Sequence, residues 1–200
     1  MSLSQVNYYY FCKVVQTVDK TEQADQRIYV RFPQEADAAA LTDIYKRNRA
    51  FFEKYSPKAI DEFYTEEYQR QLIANNRSDR ETDRRYDFVV CHREDGRIIG
   101  TVGLSFVVRG ALQSCMIGYS LDQEFNGRGY MTEAVKLVVQ YAFEELKFHR
   151  ITGEASPKNP GSIRVLEKAG FHKEGLALRN VKINGVWEDH QVLAILNPAD

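Results

Sequence analysis

A short loop with two glycines, followed by a long amphipathic helix, constrains the fold of this chain most. The loop is Phe125–Gly129, in which Gly127 and Gly129 permit left-handed backbone conformations that other residues rarely adopt. Apolar residues then recur at helical spacing through residues 131–147: Met131, Ala134, Val135, Val138, Ala142 and Leu146. Such a loop can direct several backbone N–H groups towards one point, where the positive end of the helix dipole adds to them. The sequence therefore predicts an anion-binding site at the start of this helix.

Strand and helix signals around this loop predict a mixed sheet. Segments rich in β-branched and aromatic residues, bounded by turn residues, are predicted strands: residues 28–32, 86–92, 98–108, 112–121, 151–155, 181–183 and 186–187. Apolar spacing predicts helices over residues 35–52, 60–74, 131–147 and 162–169, whereas the charged segment 75–85 is predicted to be a loop or a frayed helix end. This order of elements predicts an α+β fold, in which helices flank a mixed sheet of about seven strands.

The length and charge of the chain limit its class. Its 200 residues fit one domain, which we place at residues 27–200 after a leader at residues 1–26, whose aromatic patch Tyr8–Phe11 is expected to dock on the body. The net charge of −1 gives no basic field for nucleic acid or a membrane, and no apolar run predicts a membrane span or a secretion signal. The three cysteines, at positions 12, 91 and 115, lack paired spacing. We therefore expect a cytoplasmic protein without a bound metal.

The glycine loop resembles a known phosphate-binding motif. Asn126–Met131 is similar to the pyrophosphate-binding segment of the GNAT superfamily of N-acetyltransferases, with Asn126 where Gln or Arg is usual and Met131 where a small residue is usual. The resemblance implies acetyl-CoA as co-substrate, with its pyrophosphate bound by residues of this segment: Asn126, Gly127, Arg128, Gly129, Tyr130 and Met131. A methionine side chain reduces the room near the phosphates unless it faces the core.

Two further segments carry the same resemblance. Met116–Leu121 is similar to the GNAT strand that diverges from its neighbour, which implies that Ile117 and Gly118 contact the pantetheine arm and that a backbone N–H there stabilises an oxyanion. Asn159–Ser162 resembles the family's N-x-x-S segment, which implies that both end residues contact the cofactor. Leu166 stands where many members have a tyrosine as general acid, and the resemblance to the Rim-type enzymes, which place a serine where Ser162 stands, implies the acid role for Ser162. The alternatives are an ordinary strand glycine at 118 and a simple helix cap at 159 and 162.

A narrower resemblance, over residues 27–196, is to the ribosomal-protein-alanine N-acetyltransferases. The matching segments are Asn48–Phe52, Arg109-Gly110, Gly118-Tyr119, Gly129–Ala134 and Gly185–His190. The resemblance implies a protein N-terminal α-amine as acceptor, after alanine or serine, with a ribosomal protein as the leading substrate, association with the ribosome and a monomer or homodimer. Residues 48–52, the Arg109-Gly110 turn and the hairpin around Trp187 are expected to flank the acceptor cleft. The alternatives are a small amine acceptor, such as a polyamine, antibiotic or amino acid, and a non-catalytic acyl-CoA-binding module that assists ribosome assembly.

The general base is the least determined part of the site. Glu154 is the first choice, because it lies on the diverging strand near the acyl site, although a solvated residue at a strand edge explains it equally well. The other candidates are Tyr119, Glu124, His172 and His190. For Asp189-His190 a structural hydrogen bond is favoured over catalysis, and Glu133 fits stabilisation of the helix dipole. An α-amine titrates at about 7.7–8 and a lysine at about 10.4, so an N-terminal acceptor needs only a weak base. No cysteine lies in these motifs, which favours direct transfer in a ternary complex.

Overall fold

The computed structural model describes residues 26–200, which form a seven-stranded sheet flanked by helices. The strands are β1 (Ile28–Arg31), β2 (Tyr86–His92), β3 (Ile98–Val108), β4 (Ser114–Leu121), β5 (Arg150–Ala155), β6 (His172–Ile183) and β7 (Val186–Leu196). Their order across the sheet is β1-β2-β3-β4-β5-β7-β6. Of these neighbouring pairs, β4 and β5 run parallel and the others antiparallel. The predicted mixed sheet of seven strands is confirmed.

Helices cover both faces of this sheet. They are α1 (Ala38–Arg47), α2 (Arg49–Phe52), α3 (Glu66–Glu81), α4 (Tyr130–Glu144) and α5 (Pro160–Lys168). The strands alternate between the two faces, so the adjacent residues Val89 and Val90 belong to different apolar clusters. The larger cluster packs the apolar stripe of α4 against the sheet, and the smaller one packs α1 and α3 against the opposite face. The amphipathic helix predicted after the glycine loop therefore anchors the main core.

The prediction of a loop or frayed helix end at residues 75–85 is wrong for most of that segment. Helix α3 continues through it to Glu81, after an N-terminal cap in which the Thr65 hydroxyl accepts a hydrogen bond from the Tyr68 N–H. The last turns pack through a charged residue, because the Arg80 guanidinium lies 3.9 Å from the centre of the Phe32 ring. A search for apolar spacing cannot detect packing of this kind.

The predicted helix over residues 35–52 is divided at Asn48, which is buried. Its side-chain amide donates to Ile44 O at 2.9 Å and to Asp122 Oδ1 at 3.0 Å, and its Oδ1 accepts from the Gln123 N–H at 2.9 Å. Asn48 thus ties the junction of α1 and α2 to the turn that precedes the glycine loop. Within the segment Asn48–Phe52, which resembles the acetyltransferases, Asn48 therefore has a structural role: its buried amide is fully hydrogen-bonded.

The last two strands are much longer than predicted, although their turn is as predicted. Asn184 and Gly185 have φ angles of 50° and 89°, which is the pair of positive values that a two-residue hairpin turn requires.

None of the helices in residues 26–200 has the length and apolar character of a membrane span. Within that range Cys91 and Cys115 are buried and unpaired, and burial raises the pKa of Cys115 to about 12. Cys12 and the patch Tyr8–Phe11 lie outside the described residues.

Candidate active site

A gap opens in the middle of the sheet where β4 and β5 diverge. The two strands pair from Ser114–Arg150 to Ile117–Gly153, and the pairing then stops although both strands continue. A cavity of about 1030 Å³ passes through this gap, bordered by residues of both faces of the sheet. Gly118 lies at the edge of the gap, and a Cβ atom built on it would meet no other atom within 4 Å. The divergence therefore exposes the backbone of β4 to the cavity, as the strand motif predicted.

The start of α5 holds the gap open. Beyond Ile117, the Tyr119 hydroxyl bonds to α5 rather than to β5: its oxygen lies 2.9 Å from both the carbonyl oxygen and the Oγ of Ser162. Leu166, one turn further along α5, is buried, and both of its methyl groups lie 3.0 Å from the position of a Cβ on Gly153. Gly153 thus lets α5 pack closely on β5, and Leu166 belongs to the core rather than to the cavity.

The glycine loop borders the same cavity on the α4 side. Gly127 and Gly129 have φ angles of 76° and 84°, and Gly129 is the N-cap of α4. The first N–H groups of a helix have no partner within it, so they are available to an anion at this point. Tyr130 and Met131 direct their side chains into the core, with 8% and 4% of their surfaces exposed. Met131 thus packs in the main core cluster, and it also borders the cavity.

A single arginine fixes the outer side of this loop. The Arg27 guanidinium donates to Arg128 O at 2.9 Å and to Glu133 Oε2 at 3.0 Å, and its backbone N–H donates to Glu133 Oε1 at 2.9 Å. The same guanidinium lies 4.6 Å from the centre of the Tyr130 ring. Glu133 is thus an anchor for the loop through Arg27, in addition to lying in the first turn of α4. No local pattern predicts this contact, which we call the Arg27 clamp, because its partners are about 100 residues apart in the chain.

The N-terminus of α5 combines a cap with a free hydroxyl. Asn159 Oδ1 accepts from the Ser162 N–H at 3.1 Å, which is the expected helix cap. The cap uses the backbone of Ser162, so its side-chain hydroxyl pairs with Tyr119 instead. Burial raises the pKa of Tyr119 to about 12, and the hydrogen bond to Ser162 opposes this rise. The phenol therefore stays protonated throughout the neutral range, next to the Ser162 hydroxyl.

On the other face of the sheet the cavity has an aromatic wall and a polar floor. The wall comes from α1, α2 and the segment that follows: Tyr45, Phe51, Phe52, Tyr55, Phe63 and Tyr64. Hydroxyl groups of β3 and β4 form the floor, where Thr101 Oγ1 and Ser120 Oγ are 2.9 Å apart. The two carboxylates that border the cavity are already paired, Glu53 with Arg49 at 2.8 Å and Asp87 with Arg85 at 2.7 Å. This half of the cavity thus offers apolar surface and neutral hydrogen-bonding groups.

Comparison with protein families decides the class of this site. Residues 27–172 match the model of the acetyltransferase (GNAT) domain. The chain belongs to the GNAT acetyltransferase family. It is an N-acetyltransferase, and the diverging strands, the glycine loop and the seven-stranded sheet are the features that GNAT resemblance implied.

Relatives narrow the comparison within the GNAT family. The chain is 56% identical over 173 residues to the protein named Probable N-acetyltransferase YjcK of Bacillus subtilis (strain 168), a match that covers 86% of this chain and 96% of the relative. The structure of the present chain is similar to that of the ribosomal-protein-S5-alanine acetyltransferase of Vibrio fischeri. The TM-score is 0.82 and the sequences are 33% identical, and the match covers 86% of this chain and 94% of the other. It is also similar to Mycobacterium smegmatis RimJ in complex with CoA-disulfide, with TM-score 0.80, 28% identity and coverage of 84% and 81%.

The candidate bases of this GNAT enzyme lie in different surroundings. Glu124 is exposed near Arg97, and His172 is exposed beside Glu174. Glu154 accepts a hydrogen bond from the side chain of Asn180, and its Oε2 lies 3.9 Å from His190 Nδ1. The predicted structural hydrogen bond of His190 is wrong, because neither ring nitrogen has a hydrogen-bond partner among the described residues. Asp189, its neighbour in sequence, instead accepts a bond from the Arg179 N–H at 2.8 Å.

The predicted flanks of the acceptor cleft are partly wrong. Phe51 and Phe52 border the cavity, as expected for the segment 48–52. Arg109 does not: its guanidinium is bound to Asp83 at 2.6 and 2.7 Å and lies 4.1 Å from the centre of the Phe148 ring, so it secures the far end of the sheet. Trp187 is 56% exposed and does not border the cavity either. From the sequence alone, an arginine in a turn such as Arg109 could border the cleft or bind a distant carboxylate, and the sequence does not distinguish the two.

The hairpin of β6 and β7 reaches the cavity wall through its tip. The Asn184 side chain donates to Glu53 O at 3.0 Å and accepts from the Lys58 N–H at 3.2 Å. These two bonds hold residues 53–58, a segment that contributes Tyr55, Ser56 and Pro57 to the cavity wall. We call this contact the Asn184 latch. In the sequence Asn184 indicated only a turn, since its partners lie about 130 residues away.

Proposed function

We propose that this chain transfers the acetyl group of acetyl-CoA to the N-terminal α-amine of a protein that begins with alanine or serine, with a ribosomal protein as the leading class. The observation that carries the proposal is the cavity that passes through the diverging strands, from the glycine loop on one face to the aromatic wall on the other. A solved relative that is named for alanine acetylation shares this fold at 33% identity, which supports the choice of acceptor.

The cofactor half of the cavity fits acetyl-CoA. The exposed backbone of Asn126–Gly129 and the first N–H groups of α4 would hold the pyrophosphate, which carries the negative charge that a helix N-terminus favours. Ile117 and Gly118 would pair with the pantetheine arm along the unpaired edge of β4. The side-chain amide of Asn159 would contact the arm from α5, at the other border of the gap. In this arrangement the thioester lies near Gly118, between the two faces of the sheet.

The chemistry then follows from the groups around the thioester. The acceptor nitrogen forms a bond to the carbonyl carbon, and the backbone N–H near Gly118 stabilises the oxyanion. The C–S bond breaks, and the sulfur receives a proton from the Ser162 hydroxyl, which the Tyr119 phenol can replenish through their hydrogen bond. Glu154 is the proposed base, because it is the residue of β5 directly beyond the last strand pair and carries its side chain on the face of Gly118. It lies outside the residues that border the cavity, so it would take the proton through a bridging water.

The charges of the acceptor half favour a peptide N-terminus over a polycation. A polyamine or an aminoglycoside carries several ammonium groups, and each group that is buried needs a carboxylate partner. The two carboxylates on the cavity wall, Glu53 and Asp87, are already paired with arginines. A peptide instead brings one α-amine, a small side chain for the aromatic wall and backbone groups for the hydroxyl floor.

A panel of acceptors tests this proposal. Short peptides that begin with alanine or serine and contain one internal lysine are expected to be acetylated at the α-amine, because its pKa is about 2–3 units below that of lysine. The matched control is the same peptide with its N-terminus already blocked, which should react far more slowly. Mass spectrometry locates the acetyl group. Modification of polyamines or aminoglycosides, with no peptide modified, would contradict the proposed acceptor and leave the acetyltransferase assignment intact. Release of free CoA with a peptide acceptor excludes the non-catalytic module.

The Asn184 latch gives a prediction that concerns only the acceptor. Asn184→Gly keeps the left-handed turn but removes both bonds to residues 53–58, so the cavity wall loses its support. Two exposed hydrogen bonds contribute about 1 kcal/mol together, so the KM for a peptide should rise about fivefold. The affinity for acetyl-CoA should not change. Lys182→Ala, on the same hairpin, is the control, and an equal rise of KM in that variant would show that the latch is not the cause.

A further inference from the structure

His190 is a buried histidine without the hydrogen bonds that buried histidines normally make. It lies on β7 with 8% of its surface exposed, and among residues 26–200 neither Nδ1 nor Nε2 has a hydrogen-bond partner. Buried polar atoms are nearly always paired, because an unpaired one has lost its hydration without gaining a partner. A purely structural role does not account for such a destabilising residue, so we look for a functional one.

The strand registers place His190 behind the proposed base. Glu154 on β5 lies opposite Val192 on β7, so His190 is its diagonal neighbour on the same face of the sheet. Its Nδ1 is 3.9 Å from Glu154 Oε2, a distance that a small side-chain rotation shortens to a hydrogen bond. Such contacts are often long in the absence of substrates. Glu154 in turn follows the last pair of β4 and β5, across the gap from Gly118.

The charged groups that the structure describes near Glu154 and His190 do not form ion pairs with Glu154 that would compete with His190. Within the described residues, Glu154 has no lysine or arginine partner and accepts a hydrogen bond only from the neutral amide of Asn180. The other carboxylate near His190 is Glu188, which is bound to Lys158 at 2.9 Å. His190 is therefore the group that can exchange a proton with Glu154 inside the fold.

We infer that Glu154 and His190 form a proton relay, in which Glu154 takes the proton of the acceptor amine and His190 accepts it from Glu154. This inference rests on the proposed function. An α-ammonium loses two protons when it becomes an amide, and one of them balances the proton that joins the thiolate sulfur as the C–S bond breaks. The other must leave the site. A carboxylate holds one proton, so passing it to the His190 imidazole restores Glu154 as a base before the second is lost from the nitrogen.

His190→Phe tests the relay, because phenylalanine fills a similar volume and cannot take up a proton. We expect kcat to fall roughly 10- to 100-fold and the KM for acetyl-CoA to stay within about twofold. An amine that binds as an ammonium has two protons to lose and needs the pair, whereas an amine that binds neutral has one, which Glu154 can take alone. The deficit of His190→Phe in kcat should therefore be largest below the α-amine pKa of about 7.7–8 and shrink as the pH rises above it. His149→Phe, at an exposed histidine bound to Asp200, is the matched control and should keep the wild-type pH profile of kcat.

Two further variants separate a relay from a structural role. His190→Asn keeps a hydrogen-bonding group near the Nδ1 position but cannot hold the proton, so it should be as slow as His190→Phe; wild-type kcat in His190→Asn would overturn the relay. In a double-mutant cycle, His190→Phe should cost little once Glu154→Gln has lowered kcat. An undiminished effect in that background would also overturn it.

The outcomes for the relay and for the proposed function are distinguishable. A wild-type enzyme that acetylates no α-amine defeats the proposed function, whereas an active wild type whose pH profile of kcat is unchanged in His190→Phe defeats only the relay. Nuclear magnetic resonance of the imidazole nitrogens provides a measurement that needs no acceptor. At one fixed neutral pH, the nitrogen chemical shifts of the His190 ring should change on Glu154→Gln, since the two groups share a proton, and those of His149 should not. Unchanged His190 shifts would exclude the pair.

Discussion

Replacement of Ser162 by alanine is expected to lower turnover about 100-fold or more, because the thiolate loses the hydroxyl that we propose as its proton donor. The substitution leaves the helix cap intact, since Asn159 bonds to the backbone N–H of this residue. Acetyl-CoA affinity should therefore change little. Steady-state kinetics with a peptide acceptor measure kcat, and calorimetry measures the dissociation constant of acetyl-CoA. Ser78→Ala, at an exposed position on α3, is the control for a lost serine hydroxyl.

The partner of Ser162 adds a second measurement. The pKa of Tyr119 is raised to about 12 by burial, so its phenol holds its proton below that range and should cause no loss of activity between pH 8 and about 11. Tyr119→Phe removes the proton donor and should slow turnover in the same direction as Ser162→Ala. Near-normal kcat in a folded Ser162→Ala protein would reduce Ser162 to a position in the first turn of α5, and the protonation of the thiolate would need another source.

Gly129→Val is expected to weaken acetyl-CoA binding about 100-fold. A β-branched residue is strained at the φ of 84°, and a shift of the loop would misdirect the backbone N–H groups that are proposed to hold the pyrophosphate. Two lost bonds to a charged group, at about 1.5 kcal/mol each, correspond to that factor. At a ligand concentration 1,000 times the wild-type dissociation constant, the ligand's stabilisation should fall from about 4.1 to about 1.4 kcal/mol.

The control for this substitution is Gly175→Val on β6. A Cβ at Gly175 meets no atom within 4 Å, and its φ lies outside the left-handed region, so valine is accommodated there. Thermal unfolding with and without acetyl-CoA then compares the two variants directly. A folded Gly129→Val protein that binds acetyl-CoA with wild-type affinity would remove the pyrophosphate from residues 126–131.

The sequence predicted the parts of the fold and site that depend on local patterns. Glycine spacing identified the loop at 126–129, helical spacing identified α4, and Asn184-Gly185 identified the last hairpin. The order of the predicted strands and helices along the chain was enough to predict a mixed sheet of about seven strands. The motif that carries Asn159 and Ser162 is contiguous, so a place near the site could be predicted for both, and the structure has both at the border of the cavity. Their roles toward the cofactor stay predictions.

Contacts between distant segments could not be predicted in this way. The Arg27 clamp, the Asn184 latch and the Glu154–His190 contact each join residues from separate elements, so no local spacing reports them. The opposite error occurred at Arg109, where a family resemblance suggested a place beside the cleft. Its guanidinium instead satisfies Asp83 and the carbonyl of Leu146 at the far end of the sheet, which is a role that only the folded chain defines.

The gap between β4 and β5 also determines which inhibitors suit this enzyme. Since the cavity reaches both faces of the sheet, the two proposed substrates would approach from opposite sides and meet end to end without competing for space. A conjugate that joins CoA to a peptide N-terminus through a two-carbon bridge would thread the sheet and engage both halves at once. Binding of the second half then becomes intramolecular, so such a conjugate can exceed the affinity of either part by about 100- to 10,000-fold. Its selectivity would come from the peptide, because the acceptor half is where this chain's own latch and aromatic wall lie.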